Sequence, residues 1–112
     1  TKEMTQSATI DEIKHKLDRV VAKYAERLSD EATSIVHDTY LHLFEGVEGT
    51  LIEQDANLVE VLEKDFNVTL PQAISTNKTV DQVRDVVVDM QTKLTRAQTL
   101  IEKAEKSRKD VF

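Results

Sequence analysis

Apolar residues recur three and four apart along most of this chain, and the longest unbroken stretch of that spacing comes last. Val80, Val83, Val87, Met90, Leu94, Ala97, Ile101 and Ala104 follow one another at 3-4-3-4-3-4-3. That is the a/d seam of a heptad repeat, the mark of a helix with coiled-coil character. Thr79-Val80-Asp81-Gln82 precedes it as a capping box, a hydroxyl at the N-cap with an amide three residues on. The pattern predicts a helix over 80–110, about 46 Å long at about 1.5 Å per residue. Asp89/Lys93, Glu102/Lys106 and Glu105/Lys109 place acid before base at i,i+4, each pair adding a few tenths of a kcal/mol.

Three shorter stripes precede this one. Ile10, Ile13, Leu17, Val20, Val21, Tyr24 and Leu28 predict a helix over 10–28, opened by the box Thr9-Ile10-Asp11-Glu12. Residues 1–8 have no periodicity and read as a disordered lead-in. Ala32, Ile35, Val36, Tyr40, Leu43, Phe44 and Val47 predict a helix over 30–48, with Ser29 and Asp30 as N-cap types. Neither is Gly or Pro, so a helix running straight through 29–30 is the rival. Ile52, Ala56, Val59, Leu62 and Phe66 predict a helix over 51–66. Gly46 and Gly49 lie before it, and each costs about 1 kcal/mol in a helix interior. The chain either turns at Gly46–Thr50, where Thr50-Leu51-Ile52-Glu53 offers another box, or crosses the glycines as one helix that another helix can approach closely. Residues 67–79 carry Pro71 and many β-branched and turn-forming residues and are read as a loop, with Val68, Leu70 and Ile74 tucked onto the bundle end. The fold class is all-α: a three- or four-helix antiparallel bundle over 9–112 with a long C-terminal helix. A seam of about 46 Å needs covering along its length. Either the bundle fills it, or its distal part (Ile101, Ala104, Val111) is left for another chain.

Composition narrows the function classes. With 112 residues the chain is one domain. Two Gly and one Pro are too few for the turns of small all-β folds or for Gly-rich phosphate loops. No run approaches the roughly 20 apolar residues of a membrane span, so no membrane insertion is expected. Fifteen Lys and Arg stand against 21 Asp and Glu, a net charge of −6. That balance argues against nucleic acid and against an anionic lipid surface. Lys103, Lys106, Arg108 and Lys109 gather near the C-terminus, but Glu102, Glu105 and Asp110 sit among them. There is no Cys, which removes thiolate zinc sites, iron–sulfur clusters, disulfides and Cys nucleophiles. No hydrophobic signal segment is present and the first residue is Thr1, so a soluble intracellular protein and a mature secreted one both remain open.

Catalytic chemistry finds little footing. Glu12-x-x-His15 has the spacing of carboxylate-bridged di-iron bundles, but His37 and His42 follow Ser34 and Thr39, so the second pair is missing. Asp38, His42 and Glu45 share one helix face and hold a cation weakly at most. Gly46-Val47-Glu48-Gly49 matches a bare G-x-x-G, yet Glu45 and Glu48 would repel phosphate. Ser7, Ser29, Ser34, Ser75 and Ser107 lie in no nucleophile-elbow context. No carboxylate sits in a run that reads as an apolar pocket, which a raised pKa requires. No catalytic residue, metal ligand or cofactor is assigned.

The reading is therefore a non-enzymatic helical-bundle module for protein–protein interaction or assembly, its partner a second copy or a heterologous helix. The seam Val80–Ala104 supplies knobs for holes, and Arg84, Gln91, Gln98 and Glu105 at e positions select partner and register. The alternative is a secreted helical carrier of a hydrophobic ligand. Small residues (Ala25, Ala32, Ala56, Ala97, Ala104) would loosen the interior, and Tyr24, Tyr40 and Phe44 would line a cavity. Asn67-Val68-Thr69 and Asn77-Lys78-Thr79 are N-glycosylation sequons if the chain is secreted. Glu45-Gly46-Val47-Glu48-Gly49-Thr50-Leu51, followed by Phe66-Asn67, resembles a stretch in the small secreted helical allergens of mites. The flanking helix lengths differ from theirs, and the chain is not assigned to that family.

Overall fold

The computed structural model describes residues 5–110, with side chains as far as Arg108; Thr1–Met4, Val111 and Phe112 lie outside it. Every element among the described residues is helical. Helix α1 spans Gln6–Ala25. A second rod runs unbroken through α2 (Ser29–Thr39), a π-helical turn (Tyr40–Phe44) and α3 (Glu45–Gln54). A third does the same through α4 (Ala56–Lys64), a second π-turn (Asp65–Thr69) and α5 (Leu70–Ser75). Helix α6 spans Val80–Asp110. The four rods run up, down, up and down within 52 × 33 × 19 Å.

The first helix begins earlier than its pattern predicts. Thr5 is the cap, its Oγ1 accepting from the Ala8 amide at 3.0 Å. Thr9 lies inside the helix, its hydroxyl donating back to the Thr5 carbonyl at 3.0 Å. The lead-in expected over 1–8 is thus corrected for residues 6–8, which α6 holds in place through Ser7. The helix stops at Ala25 rather than Leu28, and a turn does separate it from α2. Arg27 takes φ 65°, and the Leu28 amide closes onto the Lys23 carbonyl at 3.0 Å. This is the helix-ending geometry that usually uses Gly.

The expected boundaries 30–48 and 51–66 are replaced by a rod that crosses both glycines. Val47 and Leu51 are buried on either side of Gly49, and their burial outweighs the glycine penalty. The box at Thr50 is inside that rod. The chain reverses at Asp55 instead, with φ −160° and ψ 87°. Its carboxylate accepts from the Leu58 amide at 3.0 Å and so caps α4.

The loop expected over 67–79 shrinks to Thr76–Thr79. Leu70 and Ile74 are buried as helix residues, whereas Val68 is exposed and tucks onto nothing. Pro71 is tolerated because the π-turn precedes it. The Leu70 amide bonds the Asp65 carbonyl five residues back, and this wider turn relieves the clash of a proline ring with the carbonyl four residues before it. The short loop closes with Asn77 at φ 57° and the Lys78 amide on the Ala73 carbonyl at 3.1 Å. The box opening α6 forms as predicted: the Thr79 amide donates to Gln82 Oε1 at 2.9 Å, and the Gln82 amide donates to Thr79 Oγ1 at 3.1 Å.

Candidate functional site

The heptad seam lies inside the bundle. Val83, Val87, Met90, Leu94, Ala97 and Ile101 are buried, and Val80 and Ala104 are half-buried. The other three rods cover it, so its distal part is not left for another chain as far as Ala104; Val111 falls outside the described residues. Of the four e positions, two reach across to another rod. Gln91 donates to the Lys14 carbonyl at 3.0 Å and to Asp18 Oδ1 at 2.8 Å. Gln98 donates to the Ser7 carbonyl and to Asp11 Oδ1, both at 2.9 Å. Lys14 Nζ reaches Thr95 Oγ1 at 3.0 Å, and Ser7 donates to Glu102 at 2.9 Å. These contacts form a polar ladder that fixes α1 antiparallel to α6. Arg84 bonds Asp81 on its own helix at 2.7 Å, and Glu105 is half-buried. Asp89 pairs with Lys93 as its spacing predicts, at 2.7 Å. Glu102 turns to Ser7 rather than to Lys106, and the Lys109 side chain lies outside the described residues.

A second constellation joins the two π-turns. Tyr40 and Phe44 from the first pack against Phe66 from the second, with ring centroids 5.7 and 5.3 Å from it. Tyr40 donates its hydroxyl to Glu63 Oε2 at 3.2 Å. Glu48, on α3, presses into the same junction, and its Oε1 is buried with no hydrogen-bond partner. Burial is the main cause that pushes the Glu48 carboxyl above its usual range; the negative charges of Glu63 and Glu45 add to it, and a bond from Tyr40 opposes them. Burial likewise raises the Tyr40 phenol, against a hydrogen bond with Asn67 that lowers it and ahead of the charges of Glu48 and Glu63. Reading the sequence missed this carboxylate. Glu48 flanks glycines in a stripe without bulk, and Glu63, whose charge acts on it, belongs to the third rod.

Opposite the ladder, Lys93 bonds Asp65 and Asp89, each at 2.7 Å, and Asp65 is buried. Burial lowers the Lys93 ammonium, but the bonds to Asp65 and Asp89 outweigh it and leave it raised.

The remaining candidates lie on the surface. Glu12, Asp38 and His42 come together, with Lys16, Arg19, Ile35 and Leu43, along an open groove of about 530 Å³ between α1 and α2. His15 and His37 are exposed elsewhere. Among the described residues, no three His, Asp or Glu side chains gather closely enough to hold a metal ion. Phe44 fills the core rather than lining a cavity, and the Tyr24 hydroxyl donates to the Lys78 carbonyl. Ala32 and Ala97 are buried, but Ala25 and Ala56 face solvent. Asn67 and Asn77 are exposed, the former donating to the Glu63 carbonyl at 2.9 Å. No helix among the described residues is long and apolar enough to cross a membrane. Leu41 and Ile52 are about half exposed, at 53% and 49%, and the glycines between them stand in open space. A comparison with protein-family models, curated proteins and solved structures finds no match to this chain.

Proposed function

We propose that the chain is a non-enzymatic helical-bundle interaction module, and that the partner helix lies on the outer face of the second rod rather than on the heptad seam. Leu41, Glu45, Gly49 and Ile52 follow one another at i, i+4, i+8 and i+11 there, with Gly46 beside them. The observation that carries the reading is the pair of glycines. Neither has positive φ, and a Cβ added to either would meet nothing within 4 Å. The fold therefore has no use for them, although together they cost about 2 kcal/mol relative to Ala. A helix backbone approaching closely would use that space, flanked by Leu41 and Ile52 as apolar contacts.

The double variant G46A/G49A separates folding from association. It is expected to melt higher than the natural chain. The natural chain is expected to self-associate with rising concentration in sedimentation equilibrium, and the double variant is expected to lose that association. A natural chain that stays monomeric into the millimolar range counts against a second copy as partner, and unchanged association in the double variant counts against this face.

The second reading, a carrier of a hydrophobic ligand, draws on the open groove between α1 and α2, with Ile35 and Leu43 among its lining residues. Delipidated protein that gains no thermal stability from a fatty acid would discard it.

A further inference from the structure

We propose that Tyr40, Glu48 and Glu63 form a proton-operated clamp between the second and third rods, closed when Glu48 holds a proton and pushed apart when Glu48 is charged. The proposal is independent of the partner surface above, because it concerns how the rods hold one another. Its basis is a mismatch of donors and acceptors. The Tyr40 hydroxyl has one proton to donate and gives it to Glu63 Oε2 at 3.2 Å. Glu48 competes for that same proton, and its Oε1 is buried in the junction with no hydrogen-bond partner. An ionised carboxylate with a bare buried oxygen is costly, whereas a protonated one is neutral and becomes a donor itself.

The surroundings add no positive charge to settle the pair. The charges that act on Glu48 are those of Glu45 on its own rod and Glu63 on the third, both negative. Asn67, which donates to the Glu63 carbonyl, is a neutral amide. The nearby acid Asp65 is held on the other side by Lys93 at 2.7 Å. His42 of the adjoining π-turn points to the α1–α2 groove. A desolvated carboxyl that also meets negative charge resists ionising, so the Glu48 proton leaves late. The raised carboxyl of Glu48 agrees with this geometry.

The sign follows from linkage. A carboxyl whose proton is held more tightly in the folded chain than in the unfolded one costs nothing at pH below its unfolded value. The cost grows as pH rises, and it is complete above the folded value. The clamp therefore favours the fold in mildly acidic medium and burdens it at neutral pH, opposite to an ion-paired carboxylate.

The test compares urea unfolding midpoints of the natural chain and E48Q between about pH 4 and pH 8, with side-chain carboxyl NMR of the natural chain over the same range. Glu48 is expected to titrate above the ordinary glutamate range, and E48Q is expected to be the more stable protein at neutral pH, with the difference closing toward about pH 4. E63Q should draw the Glu48 midpoint down toward the exposed glutamates, which keeps the proposal testable should E48Q fold poorly. Titration of Glu48 within the ordinary glutamate range, or a stability difference between E48Q and the natural chain that does not vary with pH, would overturn the clamp.

Discussion

At the scale of single residues, Lys93 decides more than its partly exposed position suggests. It links α6 to the π-turn of the third rod through Asp65, whose carboxylate is buried. Removing the ammonium strands that carboxylate, so Lys93→Met is expected to cost about 2–3 kcal/mol, read as a lowered urea midpoint. Because the Lys93 ammonium is raised, the pair contributes fully below the ordinary lysine range and is lost as pH climbs through the raised value. One half of this arrangement was legible. Asp89 and Lys93 are four apart on one helix, so their pairing follows from local geometry. Asp65 is 28 residues away and meets Lys93 only because the third rod docks there. Glu48 was illegible for the same reason: it comes under the charge of Glu63 only because the third rod docks there.

At the scale of elements, local signals succeeded where the physics is local. The box at Thr79–Gln82 satisfies two orphan amides with side chains three residues apart, and it forms as read. Thr79→Ala is expected to destabilise the fold by about 1 kcal/mol in urea unfolding, with the natural secondary structure retained. The boxes at Thr9 and Thr50 failed because the same four-residue pattern fits a helix interior once burial on both sides continues the rod. Turns failed conversely. Neither Arg27 nor Asp55 is a residue that advertises a chain reversal as Gly or Pro does, yet both rods turn there. The stretch around Pro71 looked like a loop from propensity alone. Burial of Phe66, Leu70 and Ile74 overrode propensity, and one π-turn made the proline compatible with it. Two π-turns meeting at one aromatic contact could not be read from composition, since each inserts a residue only where tertiary packing rewards it.

At the scale of the whole molecule, each rod is locked to a neighbour at more than one level. Tyr24 ties the end of α1 to the turn before α6, the Gln91–Gln98 ladder runs along the middle, and Ser7 meets Glu102 at the far end. Such a chain should unfold as one unit. Tyr24 and Tyr40 are its only tyrosines and it has no tryptophan, so they report tertiary structure directly. Tyrosine emission and far-ultraviolet circular dichroism are expected to trace one coincident urea transition; separated transitions would show that the rods come apart in stages. The all-α bundle and its long final helix were legible because a periodic apolar stripe determines both. That the bundle, and not a second chain, covers the stripe was not, because the stripe looks the same either way. Here the two glutamines have a consequence for folding. An apolar edge that repeats every seven residues would tolerate the neighbouring helix slipping by one repeat, burying nearly as much hydrocarbon. The two rungs are also seven residues apart, so such a slip would set one glutamine on the other's rung and strip the second of its partners; the slipped alignment would be greasy enough to collapse but would keep only half of the ladder.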